Sequence, residues 1–208
     1  MKTALIVLGV LAAIVAVLVL FLTGQYNGLV NRSQAVDAQW AQVQNVYQRR
    51  ADLVPNLVAT VSGAANFEKS TLTEITNARA SVGKVQVNPN SAPTDPARLA
   101  EFDRAQGQLT SALSRLLVVA ENYPSLKATA NFQELQAQLE GTENRISVER
   151  GRFNDLAREY NAAIKRVPAA FFAGIMGFKE KAYFTATPGS DKAPQVQFDF
   201  GKPAPEKS

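Results

Sequence analysis

The pattern of apolar and polar positions divides the chain into an opening apolar run and a longer amphipathic body. No charged residue lies between Thr3 and Asn31, and Ala4 to Leu22 is built almost wholly of Ala, Val, Leu, Ile and Phe. A helix rises about 1.5 Å per residue, so about 20 such residues cross the hydrocarbon core of a bilayer. The run therefore predicts an N-terminal transmembrane helix with residues 4–23 in lipid. It closes on Phe21-Leu22-Thr23-Gly24-Gln25, which is not the small-residue site where a signal peptide is cut, and an uncleaved anchor is expected. Tyr26, just past the run, is placed to contact the membrane interface.

Past the anchor, apolar residues recur in steps of three and four. One seam is Leu29, Ser33, Val36, Trp40, Val43 and Tyr47, and a second is Val54, Val58, Val61, Ala65, Glu68, Leu72 and Ile75. A third runs from Leu99 through Phe102, Leu109 and Leu116 to Ala120. The last, from Phe132 through Leu139, Ile146, Phe153 and Tyr160 to Val167, carries Glu149. A period of about 3.5 residues belongs to helices packed side by side with a left-handed twist, as in coiled coils. The expected fold is all-α: an antiparallel, up-and-down four-helix bundle of long helices preceded by the transmembrane helix.

Proline and glycine mark the boundaries. Pro55 disfavours helix in the residue before it and lacks an amide, so a break is favoured at Arg50-Ala51-Asp52-Leu53-Val54-Pro55, with Asp52 as the new N-cap. A kinked continuous helix is the alternative. Gly83 to Pro96 reads as a solvent-exposed loop, closed by Asp95 capping the helix that starts at Pro96. Tyr123-Pro124-Ser125 ends that helix and starts the last, which stops at Pro168. The resulting division is 1–24 as anchor, 25–168 as bundle, 169–186 as an apolar lid, and 187–208 as a flexible tail with a short edge strand near Val196 to Phe200. The lid residues Phe171, Phe172 and Phe178 either fold over the open end of the bundle, the favoured outcome, or lie with Lys179 and Lys181 against the bilayer interface.

Composition narrows the chemistry. The 208 residues contain no His and no Cys, which removes disulfides, imidazole and thiolate metal sites, and the usual nucleophiles and bases. A net charge of +4 is spread thinly, so no nucleic-acid partner is expected. Glu68 and Glu149 fall on seams, where carboxylates are ordinarily paired, and Arg79, Arg104, Arg145 and Arg150 are available to pair them. They are also the only nameable carboxylate pair for an enzyme, and a di-iron site fails for want of His. Arg49 and Arg50 stand about 40 Å beyond Thr23 by helix rise, too far for lipid headgroups. They suit a helix C-terminus before the expected break, or an anionic partner.

Several motifs occur together in order. Tyr26-Asn27-Gly28-Leu29 is followed by Trp40, then Arg49-Arg50-Ala51-Asp52-Leu53-Val54-Pro55-Asn56-Leu57, then Tyr123-Pro124-Ser125-Leu126-Lys127-Ala128, then Thr142-Glu143-Asn144-Arg145-Ile146. This order resembles the LemA family of bacterial membrane proteins, from the anchor to about Phe184. Two positions depart from the family pattern: Ala64-Ala65-Asn66-Phe67-Glu68 stands where Tyr-x-x-His-Glu is common, and Val167-Pro168 where Phe-Pro is common. The resemblance implies an antiparallel helical bundle on a single anchor in the inner membrane, with no established enzymatic activity. It places the body in the cytoplasm, whereas Lys2 set against the lone Arg32 leans the other way. No catalytic, cofactor or metal residue is assigned. Trp40, Arg49, Arg50, Asp52, Pro55, Asn56, Glu68, Tyr123, Pro124, Lys127, Glu143, Asn144, Arg145 and Glu149 are the structural or partner candidates. The function expected is a membrane-anchored scaffold or adaptor that self-assembles or binds an envelope protein, with a ligand-binding sensor as the alternative.

Overall fold

Helix α1 spans Lys2–Ser62 without interruption, about 90 Å at the usual rise. A computed structural model describes residues 2–64, 67–85 and 87–185. The first part of α1 is apolar and exposed on all sides from Leu5 to Phe21, long enough to cross a membrane, and burial begins at Leu29. The expected break at residues 51–55 does not occur: Pro55 lies inside the helix. The physical reason is a compensating donor. Pro55 cannot give an amide to the Ala51 carbonyl, and Arg79 Nε donates to that oxygen instead, at 3.0 Å. Asp52 is consequently no N-cap; exposed on mid-helix, its carboxylate accepts from Gln48 Nε2 at 2.7 Å.

The other described helices are α2 (Lys69–Lys84), α3 (Pro96–Ala120), the short α4 (Pro124–Lys127) and α5 (Ala130–Lys165), followed by a 3₁₀ turn at Ala169–Phe171. No strand occurs among the described residues. The second expected seam proves to be divided between α1 and α2, and Glu68 sits exposed at the boundary before Lys69, off the packed face. Asp95 caps α3 as expected, accepting from the Ala97 amide at 2.9 Å. The last long helix starts later than Pro124 predicts: α4 makes one turn, and Thr129 then caps α5 through the Phe132 amide.

Two apolar clusters stack along this body. The one nearer the anchor joins Leu29 to Tyr47 of α1, Leu99 and Phe102 of α3, and Ile146 to Ile164 of α5. The farther one joins Leu53 to Val61 of α1, Ile75 and Ala78 of α2, Leu109 to Ala120 of α3, and Phe132 and Leu139 of α5. α3 therefore runs in the same sense as α1, and α5 in the opposite sense.

The segment from Val87 to Asp95 is more than a solvent-exposed loop. Asn88 O accepts from Trp40 Nε1 at 3.1 Å, the Ala92 amide donates to Asp37 at 2.7 Å, and Ala92 is buried. Pro93 O in turn accepts from the Ala182 amide at 2.8 Å, which ties this loop to the extended residues 178–185. Two asparagines one heptad apart on α5 hold that extended segment. Asn161 takes the Lys181 amide and gives to the Lys181 carbonyl, and Asn154 does the same for Phe184, all at 2.8 to 2.9 Å. Each asparagine thus replaces the partner strand that the segment lacks. Asn161→Ala should leave both Lys181 backbone groups unpaired and cost about 2 kcal/mol. Hydrogen exchange checks this: amides from 181 to 184 should lose protection well before those of α5, and unchanged protection would contradict the clasp.

The expected edge strand near Val196 and the tail 187–208 lie outside the described residues.

Candidate functional site

Between the two apolar clusters lies a polar layer centred on Arg50. Its position on α1 is one helical turn past Tyr47 and one before Leu53, so the same face that buries those residues buries this guanidinium, which is 1% exposed. Nη1 donates to Thr110 Oγ1 at 2.6 Å and to Glu143 Oε1 at 2.8 Å. Nη2 donates to the Gln106 carbonyl at 3.1 Å and to the Gln106 side-chain oxygen. The Tyr47 ring lies 5.1 Å from the guanidinium carbon. Nε is buried and has no partner among the described residues. Arg50 thereby links α1, α3 and α5 through one side chain.

A second arginine extends the layer. Arg150 donates to Asp103 at 2.7 Å and to the Tyr47 hydroxyl at 3.2 Å, and its guanidinium covers the Phe184 ring at 4.3 Å. A cleft of about 970 Å³ opens on the layer, lined by Tyr47, Arg50, Asp103, Arg104, Glu143 and Arg150 among others, with Asn77 and Ser81 of α2 on its wall. Burial pushes the Tyr47 hydroxyl above its ordinary value of 10.0, against the opposing pull of Arg150 and Arg50. Its stabilising contribution is complete below about pH 10, where folded and unfolded forms are both protonated, and falls as the pH climbs through the raised folded value. Alkaline unfolding followed by circular dichroism should steepen above about pH 10 and be flatter in Tyr47→Phe; identical slopes would contradict the assignment.

A second polar cluster lies nearer the anchor, around Asp37. Lys181 Nζ and the Ala92 amide both donate to Asp37 Oδ1, at 2.8 and 2.7 Å, and the lysine and aspartate side chains are only 8% and 14% exposed. Lys181 is therefore an internal ion-pair partner, as suits the favoured packing of this segment on the bundle, and not the interfacial cation of the alternative. Asn154 and Asn161 belong to the motifs that carry the family resemblance, whereas Asp37 lies in an ordinary polar position and only its buried partners from other segments distinguish it.

The other expected residues distribute as follows. Trp40 is fully buried in an aromatic group with Phe102, Phe153 and Phe184 at 5.5 to 6.1 Å. Arg49, Asn56, Asn144 and Arg145 are exposed, so Arg49 and Arg50 do not act as a pair at a helix end. Tyr123 stacks on Phe67 at 5.0 Å, Pro124 opens α4, and Lys127 pairs with Glu121. Glu149 is half-buried rather than turned into a closed core, accepting from Gln39 at 2.6 Å and pairing with Arg152 at 3.1 Å. Glu68 accepts from Ser70 at 2.6 Å. The two glutamates do not meet. Glu149 bonds Gln39, whereas Phe67, beside Glu68, packs in the cluster of Val61, about 33 Å further along α1 by helix rise. A glycosidase-type pair needs about 5 to 10 Å. Among the described residues, no three Asp or Glu side chains converge as metal ligands.

The chain is similar to the magnetosome protein MamQ of Magnetospirillum gryphiswaldense, with 29% identity over 87% of this chain and 73% of that protein. It is similar also to magnetosome protein MamQ 2 of Paramagnetospirillum magneticum, at 28% over 90% of this chain and 74% of the other. Protein LemA of Metamycoplasma hominis is 24% identical over 68% of this chain and 60% of that protein. The model of the LemA family matches residues 39–198, which takes in the polar layer and the asparagine clasp. The chain belongs to the LemA family.

Proposed function

We propose that this protein is a non-enzymatic, single-pass scaffold or adaptor of the bacterial inner membrane. In this reading residues 1–24 anchor an antiparallel four-helix bundle of residues 25–168, residues 169–186 form its apolar lid, and 187–208 its tail. The observation that carries it is the continuity of α1, which runs from anchor into body as one helix about 90 Å long. Identical copies anchored in one bilayer are suited to lateral self-association or to docking beside another envelope protein. Arg49, Asp52 and Asn56 are exposed at spacings of three and four on α1, forming one polar stripe for such a partner, with Asn144 and Arg145 exposed on α5. The relatives' names, which are not enzyme names, support the non-enzymatic part. Crosslinking in cells and imaging of the full-length protein in mild detergent should show a defined oligomer or a constant co-purifying partner. Strictly monomeric particles with no adduct would remove the basis of the proposal.

The cleft on the polar layer favours a second reading, a membrane-tethered ligand sensor, because the buried Arg50 Nε borders it without a partner. A ligand held there would raise the melting temperature of the native protein. Gly107, a cleft-lining position with nothing within 4 Å of its Cβ direction, allows a filling test: Gly107→Leu should abolish that rise.

A further inference from the structure

The base of the body presents an apolar surface with a definite location. After α5 the chain makes the turn at Ala169–Phe171 and returns through Gly177, whose φ of +83° an L side chain rarely adopts. Ala169 and Ala173 are buried against the near cluster, and Phe178 packs on it while stacking on Tyr26 of α1 at 5.5 Å. The opposite side of the same turn carries Val167 and Phe171, each 75% exposed, Ile175 at 89%, and Met176 at 41%. One short segment is thus inward-packed and outward-apolar at once, so the two expectations for it are not exclusive.

Three observations say what covers the outward side. The first is level. A small cleft joins Gln25, Gly28, Leu29 and Arg32 of α1 to Arg166 to Ala169, and Tyr26 stands about 6 Å past Leu22 by helix rise. That is the depth of the headgroup layer, about 5 to 7 Å on each side of the hydrocarbon. The second is polarity. The amides of Ala170, Phe171, Phe172, Ala173, Met176, Gly177 and Phe178 all donate to carbonyls within the turn, so its backbone enters a poorly hydrated layer with few bare groups. The third is charge. Arg32, Arg166 and Lys179 are exposed around the patch, whereas Lys165 is occupied by Glu180 at 2.7 Å. Apolar side chains ringed by cations fit a surface of anionic lipid.

We propose that Val167, Phe171, Ile175 and Met176 insert into the headgroup–acyl boundary of the membrane that α1 crosses, while Arg32, Arg166 and Lys179 hold anionic headgroups. This second contact sets the tilt of the body on the bilayer. It rests on the anchor reading of residues 4–23, and the test separates the two.

The chain has no native Cys, so single-Cys variants of the full-length protein carry a polarity-sensitive fluorophore without background. Leu11→Cys reports the anchor, Phe171→Cys and Ile175→Cys the turn, and Ser125→Cys, on α4, the far end. Each is reconstituted in phosphatidylcholine vesicles containing phosphatidylglycerol and nitroxide-labelled lipid. Quenching at 171 and 175 should be severalfold stronger than at 125 and strongest with shallow nitroxides, whereas 11 is quenched best by deep ones. Adding Arg166→Glu with Lys179→Glu should lower the signal at 175 severalfold while leaving that at 11 unchanged. Quenching at 11 with none at 171 or 175 overturns the proposal and leaves the anchor standing. Absence of quenching at 11 as well overturns both. Blue-shifted emission at 175 that lipid nitroxides fail to quench would assign the patch to a protein neighbour and also overturn it.

Discussion

Replacing Trp40 by alanine is expected to lower the stability of the body by about 4 kcal/mol, the largest single effect from its apolar core. The indole is fully buried among Phe102, Phe153 and Phe184, so truncation removes its transfer energy and leaves a cavity between α1, α3, α5 and the extended segment. It also removes the bond from Nε1 to Asn88 O, one of the links that hold the loop before α3. A loss of this size in a body of this length corresponds to a fall in melting temperature of about 10 °C. Trp40→Phe keeps most of the ring packing and should cost roughly 1.5 kcal/mol. Thermal melts of the detergent-solubilised full-length variants, followed by circular dichroism, measure both. A Trp40→Ala protein melting within a degree or two of the parent would contradict the central place given to this ring.

The second large effect distinguishes two adjacent arginines. Arg50→Ala is expected to cost about 3 kcal/mol, because it strips Glu143, Thr110 and Gln106 of their shared donor at a buried site. The Glu143 side chain is 38% exposed and regains some water, which keeps the loss at the lower end of the range for a broken buried pair. Arg50→Lys should recover little, since one ammonium cannot reach on both sides as the planar guanidinium does. Arg49→Ala, on the exposed face, should change stability by no more than about 0.5 kcal/mol. Urea unfolding of the variants checks the contrast; equal losses at the two positions would mean that the polar layer does not hold the helices together.

Much of the architecture is legible in consecutive residues. The apolar run, the seam through Leu29, Val36, Trp40, Val43 and Tyr47, and the Asp95 cap before Pro96 all reappear, because helix period and capping are set by neighbours a few positions apart. Where the pattern misled, a distant partner had intervened. Glu68 matched a heptad step arithmetically but lies between two helices, and Glu149 falls at the margin of the core, where Gln39 and Arg152 meet it. The polar layer was half visible: Arg50 and Glu143 belong to the motifs that mark the chain, and Arg150 was a candidate partner for the seam glutamates but pairs with Asp103, while Thr110 and Asp103 were ordinary polar residues until the helices came together.

The sequence by itself determined that this chain is helical, that its N-terminal helix is apolar enough for a bilayer, and which faces of α1, α3 and α5 turn inward. Only the tertiary structure decided that α1 continues through Pro55, that Arg50 and not Arg49 is internal to a polar layer, and that residues 181–184 are held by Asn154 and Asn161. The reason is the range of the interactions. Period and propensity act over one or two turns, whereas the carbonyl freed by Pro55 is satisfied by Arg79, 28 positions away, and Asp37 is satisfied by Lys181, 144 positions away. Such bonds exist only once packing has brought the segments together, and no local pattern announces them.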